Sequence, residues 1–272
     1  MTANIDQDEM KICASKKQMI NPPAKLFFIL STGRTGTHFF ENYINSTCPE
    51  YVCLHEPHPS RRFKIFSNMY LQGRISEKFV YKRYVKARKK YFKKYQNISY
   101  VESNNFMFGC IPALSRYLPE LHVLHIVRNP FEYIMSHLNH GFWSGKKKIV
   151  AKYVPYWLED IESGRDPVRL LANRWFYVNE CISGYATFTK YLRVRFEDLF
   201  LGDEEKTSDT INKVRCFLGC SGLSVSENNN YIKKPSNASR ASKQADVLNS
   251  ENIAYVNARL GVTMKNFGYT PR

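Results

Sequence analysis

The sequence is poor in acidic residues and has no long apolar run. Its 272 residues include 24 Asp and Glu against 40 Lys and Arg, a formal net charge of +16. No stretch approaches the roughly 20 apolar residues of a membrane span, and the polar N-terminus lacks a signal-peptide core. Hydrophobic residues make up 43% of the chain, enough for a sizeable core, which excludes a disordered or fibrous protein. We expect a soluble, cytoplasmic protein.

The sequence also lacks a disulfide or metal-binding pattern. Its seven cysteines are odd in number and show neither a CxxC pair nor zinc-finger spacing. Disulfides are rare in reducing compartments. We therefore expect free thiols and no structural zinc, and the absence of clustered acids predicts no catalytic metal.

The positive charge is concentrated in one segment. Residues 61–95 contain 13 Lys and Arg and a single acid, Glu77, a net charge of +12. From Phe79 to Tyr95 the apolar residues follow helical spacing, with Lys and Arg opposite them. The charge indicates an anionic partner or substrate. An acidic glycan at an acceptor site, an anionic membrane surface and a nucleic acid are the functional alternatives, and a solvated helix packed on the core by its aromatic residues is the structural one.

Strand, turn and helix recur along the chain. The predicted strands are 25–30, 51–54, 100–102, 121–127 and 191–196, and the longer predicted helices are 38–45, 79–95, 167–188, 207–217 and 249–260. This order favours a single α/β domain with a mainly parallel central sheet flanked by helices. We assign residues 1–24 to a flexible leader, 25–272 to the domain, and about 60–98 to a basic, largely helical insert.

A glycine-containing turn joins the first strand to the first helix. Gly33 and Gly36 allow backbone amides to approach an anion, and a helix beginning near Thr37 adds its positive dipole end. Arg34 adds a fork of donors. The turn is not a Walker loop, because it contains no lysine. The predicted phosphate- or sulfate-binding residues are Gly33, Arg34, Thr35, Gly36, Thr37 and His38.

Arg128 and Ser136 form a second candidate anion site. Arg128 follows the strand 121–127, at the carboxyl end where open α/β sheets bind ligands. Pro130 suits the first position of a helix, which places Ser136 about 9 Å further along the axis. We predict that the two side chains hold a second phosphate.

Together, the Gly33–Thr37 loop and the Arg128-Asn129-Pro130 element with Ser136 resemble the nucleotide-binding elements of sulfotransferases that use 3′-phosphoadenosine 5′-phosphosulfate (PAPS). In that family the first element holds the 5′-phosphosulfate and the second holds the 3′-phosphate. The resemblance implies a P-loop-like sulfotransferase fold, PAPS as the donor and adenosine 3′,5′-bisphosphate as the product.

Weaker matches extend the resemblance over about residues 25–272. Residues 194–199 and the Arg-Trp pair at 174–175 resemble segments common in the family. Residues 234–243 resemble a late nucleotide-binding segment of tyrosylprotein sulfotransferases, which implies that Asn237 and Lys243 lie near the nucleotide. The acceptor of that subfamily is not implied, because its membrane anchor and disulfides are not evident here.

The third candidate site is the loop after the second strand. Sulfuryl transfer to a hydroxyl needs a base near the attacking oxygen. The resemblance favours Glu56, while His55 and His58 are alternatives because the pKa of imidazole suits base chemistry. Pairing of Glu56 with a nearby arginine is the structural alternative. His55, His58 and Trp143 are candidates for acceptor contacts.

These residues predict sulfuryl transfer from PAPS to a hydroxyl by in-line displacement, treated by analogy with phosphoryl transfer. Glu56 acts as base, and Arg34 neutralises charge on the 5′-phosphate. A carbohydrate or small-molecule alcohol is the favoured acceptor, an acidic glycan among them, and nucleic acid is not favoured. A nucleotide-dependent kinase and a non-enzymatic polyanion- or nucleic-acid-binding protein are the alternatives.

Overall fold

Five parallel strands form the central sheet. The computed structural model describes Pro23 and residues 25–96, 98–139, 166–220 and 248–272. The strands are β1 (Leu26–Ser31), β2 (Tyr51–His55), β3 (Ser99–Ser103), β4 (Leu121–Val127) and β5 (Lys190–Arg195). Their order in the sheet is β2-β3-β1-β4-β5, with every pairing parallel. The predicted α/β domain with a parallel sheet is confirmed.

The central strand β1 explains the position of the loop that follows it. All six of its residues are buried, and alternate side chains enter separate core clusters on the two faces of the sheet. β1 pairs with β4 so that Ser31 lies opposite Ile126. The segments that follow β1 and β4 therefore leave the same edge of the sheet side by side.

Helices pack on both faces of the sheet. They are α1 (Thr37–Thr47), α2 (Ser60–Leu71), α3 (Glu77–Lys94), α4 (Ile111–Ser115), α5 (Pro130–Asn139), α6 (Pro167–Ser183), α7 (Phe196–Phe200), α8 (Glu204–Leu218) and α9 (Ser250–Asn266). Two short 3-10 helices span Asn105–Cys110 and Gly184–Thr187. Over the ranges that the structure describes, no helix combines the length and the apolar character needed to cross a bilayer.

The sequence predicted most of these elements. Helix α2 was not predicted as a separate helix, because the charges of the basic segment obscure its helical period. The last strand ends at Arg195 rather than at residue 196, because Phe196 begins α7. The predicted helix 167–188 ends at Ser183 and continues as a 3-10 turn. Pro130 is the first residue of α5, as predicted.

The basic segment contains helix α3, which packs on the core by one face. Every fourth residue of that face is buried: Val80, Tyr84, Arg88 and Phe92. Lysines occupy much of the remaining surface. Four of its aromatic side chains are buried or partly buried against one core cluster: Tyr81, Tyr84, Tyr91 and Phe92. The structural alternative for this segment is confirmed for these four side chains.

A buried ion pair connects α3 to β3. Arg88 Nη2 lies 2.6 Å from Glu102 Oε1, and both side chains are 0% exposed. The carboxylate also accepts hydrogen bonds from Arg88 Nε at 2.8 Å, from Asn104 Nδ2 at 2.7 Å and from Tyr84 Oη at 3.2 Å. Because removing one partner would leave an uncompensated buried charge, the pair holds α3 in one position along β3.

A disulfide contradicts the expectation that all thiols are free. Cys48, at the end of α1, is bonded to Cys220, which follows α8, with the two Cα atoms 5.7 Å apart. The partners are separated by 172 positions in the sequence, so no local spacing pattern could have revealed the bond. Disulfides persist in oxidising compartments.

We expect loss of the Cys48–Cys220 bond to destabilise the protein. Closing so long a loop restricts the unfolded chain, so the Cys48→Ala/Cys220→Ala double variant should lose about 2–5 kcal/mol of unfolding free energy. Urea unfolding with and without reductant measures the loss. The exposed free thiol of Cys216 provides the control, because Cys216→Ala should change little. Equal stability of the oxidised and reduced wild-type protein would contradict the prediction.

Candidate functional site

The loop between β1 and α1 has the backbone geometry of an anion-binding turn. Gly33, Arg34 and Gly36 have φ angles of 92°, 57° and 71°. Left-handed residues within a turn direct successive N–H groups toward a common concavity. The first turn of α1 contains no acidic residue, so the positive end of its dipole faces the loop without a neutralising carboxylate in that turn.

Hydrogen bonds to Ser31 hold this loop in place. Gly33 N donates to Ser31 Oγ at 3.0 Å, and Thr35 Oγ1 donates to the same oxygen at 2.6 Å. Ser31 Oγ in turn donates to Asn105 Oδ1 at 2.6 Å. The last residue of β1 thus fixes both ends of the turn.

Phe200 of α7 packs against the loop at Gly36. A Cβ atom at Gly36 would lie 2.7 Å from two carbon atoms of the Phe200 ring. Gly36 is therefore required both by its positive φ and by the close approach of the ring.

The structure brings together the two predicted anion-binding elements. Arg34 Nε donates to Ser136 Oγ at 3.3 Å, and Arg128 Nη1 donates to the carbonyl oxygen of Arg34 at 2.7 Å. Two motifs about 100 residues apart in sequence therefore form one cationic site at the carboxyl edge of β1 and β4.

Arg128 is held from several directions. Its guanidinium lies over the Phe196 ring at 4.4 Å, and its carbonyl oxygen accepts a hydrogen bond from Trp175 Nε1 at 2.8 Å. Burial is the main cause that lowers the pKa of Arg128, with Arg34 acting in the same direction and Glu197 and Glu132 opposing it. Within the described part of the chain, the buried Nε of Arg128 has no hydrogen-bond partner.

Polar groups that the sequence did not assign also face the loop. Three of them approach Gly33: Asn105, His137 and Arg174. The charge of Arg174 acts on a further polar residue, Lys64 of α2. In the sequence, Arg174 is part of a family-like segment, and its position next to Trp175 of the apolar stripe was the available signal. Lys64 was hidden within a run of charges. His137 Nδ1 donates to the Tyr133 carbonyl at 3.1 Å, and burial, followed by the charge of Arg174, lowers the pKa of His137 well below its usual value.

The predicted base lies after the edge strand β2. Glu56 has a φ of 41°, and its backbone N donates to Ser103 O at 3.0 Å. Burial raises the pKa of its carboxyl group, and the charge of Arg61 opposes that rise. No ion pair between Glu56 and an arginine is formed within the described residues, so the pairing of Glu56 with Arg61 or Arg62 stays a prediction.

Two histidines connect the Glu56 segment to the loop. The rings of His38, on α1, and His55 lie 3.7 Å apart between centroids. Burial, and secondly the charge of His38, lowers the pKa of His55 to about 4, so His55 is neutral at pH 7. His58 is exposed. The segment bearing Glu56 therefore adjoins the first turn of the helix that follows the loop.

Three predicted site residues lie outside the described residues: Trp143, Asn237 and Lys243. Their roles stay predictions. Among the residues that are described, no three His, Cys, Asp or Glu side chains are grouped so as to hold a metal ion.

Two glycine variants separate the close approach of Phe200 from backbone strain. Gly73 has a φ of 69°, against 71° at Gly36, but nothing lies within 4 Å of its Cβ position. Gly73→Ala should therefore cost only the left-handed strain of about 1–2 kcal/mol. Gly36→Ala should cost about 1–3 kcal/mol more, because the Phe200 ring must move. Urea unfolding measures both, and equal losses would contradict the crowding of the loop by Phe200.

Comparison with known proteins identifies the fold. The sequence matches no protein-family model and no curated protein sequence. Among solved structures, a sulfotransferase from Alicyclobacillus acidocaldarius is similar over 92% of this chain and 97% of that one, with TM-score 0.51 and 14% identity. The sulfotransferase domain from the curacin biosynthetic pathway is similar over 93% and 100%, with TM-score 0.51 and 14% identity. Mouse sulfotransferase SULT7A1, complexed with PAP, is similar over 90% and 86%, with TM-score 0.53 and 13% identity. The chain therefore has the fold of the sulfotransferases.

Proposed function

We propose that the protein is an enzyme that transfers a sulfuryl group from PAPS to an acceptor hydroxyl. The observation that carries the proposal is the meeting of Arg34, Arg128 and Ser136 at the turn after β1. This combination suits a ligand with anionic groups at two points, since one element presents backbone amides and the other presents a guanidinium and a hydroxyl.

The residues present fit a 3′-phosphoadenosine nucleotide. The backbone amides of 33–37 and the Arg34 side chain are suited to the 5′ end. Arg128, whose buried Nε has no partner among the described residues, and Ser136 are suited to the 3′-phosphate. Asn237 and Lys243 are proposed to complete the nucleotide site, as the family resemblance implies.

Bound PAPS would supply an activated sulfuryl group, with the bisphosphate as leaving group. Glu56 accepts the proton of the attacking hydroxyl as the oxygen–sulfur bond forms. Arg34 and the loop amides neutralise the charge that develops on the 5′-phosphate as its bond to sulfur breaks. Burial raises the pKa of Glu56, which brings this carboxylate closer to the pH at which a general base works best.

The exposed surface of α3 favours an anionic acceptor. Seven basic side chains on it are exposed and form no ion pair with a carboxylate in the described ranges: Lys82, Arg83, Lys86, Lys89, Lys90, Lys93 and Lys94. Four aromatic residues of α3 pack on the core, which leaves little aromatic surface for stacking with single-stranded nucleic acid and little apolar surface for insertion into a membrane. An acidic glycan is the acceptor class that we propose.

The disulfide bears on where this enzyme works. A Cys48–Cys220 bond is stable in an oxidising compartment, so we place the activity there rather than in the cytoplasm.

The nucleotide site is tested by thermal stabilisation with adenosine 3′,5′-bisphosphate, AMP, ATP and coenzyme A. The bisphosphate should stabilise the protein by about 2.7 kcal/mol at 100 times Kd, and AMP and ATP should not. Arg128→Ala should abolish the stabilisation by the bisphosphate. In a separate activity assay, Arg34→Ala should lower kcat by ~10²-fold or more. Arg169→Ala is the control, because Arg169 pairs with Glu251 at the surface of α6.

Each other outcome of that titration has a definite meaning. Stabilisation by ATP alone would replace the proposal with a kinase. Equal stabilisation by coenzyme A would reduce the site to a general 3′-phosphonucleotide site. No stabilisation by any of them would contradict the proposed function.

The pH dependence of catalysis tests Glu56 as the base. A base must be deprotonated, and burial raises the pKa of Glu56 above its usual 4.5. Activity should therefore fall as the pH is lowered through a value above 4.5, and Glu56→Gln should be inactive with bisphosphate binding intact. His55 as the base would place the fall near pH 4, since its pKa is about 4. An active Glu56→Gln enzyme would remove Glu56 from the mechanism.

Matched lysine variants test the acceptor surface. Replacing Lys82, Lys86 and Lys93 by Gln should raise KM for an acidic glycan about tenfold, from about 0.5 kcal/mol per exposed charge pair. The KM for an uncharged alcohol and the affinity for the bisphosphate should not change. The control replaces Lys25, Lys213 and Lys265, three exposed lysines outside α3. Equal effects of both triple variants would exclude α3 as the acceptor surface and leave only the overall charge of the protein.

A further inference from the structure

Three side-chain nitrogens converge beside Gly33. The Cβ position of Gly33 lies 3.7 Å from Asn105 Nδ2 and 4.0 Å from both Arg174 Nη2 and His137 Nε2. These atoms come from the segment after β3, from α6 and from α5. The loop is thus lined by a second set of polar groups, in addition to Arg128 and Ser136.

Arg174 is the fixed cation of this second set. Its Nη2 donates to the carbonyl oxygen of Thr32 at 3.1 Å. The next residue of α6, Trp175, donates to the Arg128 carbonyl oxygen, so consecutive residues of one helix contact the segments after β1 and β4. Over the described ranges, the remaining N–H groups of Arg174 form no hydrogen bond, which leaves the rest of the guanidinium fork available to a ligand.

Positive charge accumulates around Arg174. Burial, and secondly the charge of Arg174, lowers the pKa of Lys64 to about 8. The charges that act on His137 are those of Arg174, Arg34 and Arg128. Like charges close together repel one another in the free protein. A bound anion between them would attract each of these cations and offset their repulsion.

Lys64 belongs to the helix that also carries Arg61, a cation whose charge acts on Glu56. Arg61 and Lys64 are three residues apart on α2, a spacing that puts them on the same side of a helix. The charge of Arg61 acts on Glu56, and the charge of Arg174 acts on Lys64. One side of α2 therefore carries a cation whose charge acts on the proposed base and a second cation on which the charge of Arg174 acts.

We propose that Arg174, supported by Lys64, binds the sulfuryl group that is transferred, while Arg34 and Arg128 hold the phosphates that stay with the nucleotide. The inference rests on the proposed function and assigns a catalytic role to a residue outside the two motifs. The sulfuryl group must face the acceptor hydroxyl and its base for in-line attack, and Arg174 adds a cation beside the loop at Gly33.

The test compares a ligand that carries the sulfuryl group with one that lacks it. Titration calorimetry without acceptor gives the Kd of PAPS and of adenosine 3′,5′-bisphosphate. Arg174→Gln should weaken PAPS binding about tenfold or more, leave bisphosphate binding within about twofold, and lower kcat by ~10²-fold. Arg169→Gln, on the same helix and paired with Glu251, should change none of these.

A second variant guards against a purely structural effect. Lys64→Gln leaves the hydrogen bond from Arg174 to Thr32 in place and should show the same preferential loss of PAPS binding. This variant tests the proposal if Arg174→Gln does not fold. Arg174→Lys keeps the charge and should restore part of kcat. Equal weakening of both nucleotides, or no weakening of either, would overturn the assignment while the proposed function stands. A wild-type protein that binds neither nucleotide would overturn both.

Discussion

The parallel pairing of β1 with β4 is the constraint on which the site depends. After β1 the chain forms a turn in which Arg34 has a positive φ angle. After β4 comes Arg128, whose buried Nε has no hydrogen-bond partner within the described residues. Their register, with Ser31 opposite Ile126, places these segments side by side. The hydrogen bond from Arg128 to the Arg34 carbonyl then joins them, and α6 contacts both through Arg174 and Trp175. A cationic centre of this kind needs support from the sheet, since like charges do not assemble unaided.

The parts of the fold and site that follow from local pattern could be read from the sequence. All five strands were predicted, β1 from a short continuous apolar run, because a strand buried on both faces needs no alternation. Glycine and proline positions predicted the turn after β1 and the start of α5. Arg34, Arg128 and Ser136 lie in such local patterns. Arg174 and the Cys48–Cys220 bond do not, since their partners lie 142 and 172 positions away. Contacts of that range depend on tertiary packing, which periodicity does not encode.

The Lys and Arg side chains of residues 61–95 differ in their burial and in their interactions. Arg88 is buried and neutralised by Glu102. Lys64 lies half-buried near Arg174, where its own pKa is depressed. The lysines of the outer face of α3 are solvated. The net charge of the segment counts each of these cations equally. Their electrostatic interaction energies differ, because each side chain is buried to a different extent.

Helix α3 keeps its packing and its charge on separate positions. Val80, Tyr84, Arg88 and Phe92 recur at every fourth residue and specify how the helix sits on the core. The exposed lysines lie between these positions. Substitutions of the exposed lysines can therefore alter the charge pattern of the outer face while the turn after β1 is left intact. Changes confined to the outer face of α3 can therefore alter which anionic partner the protein prefers.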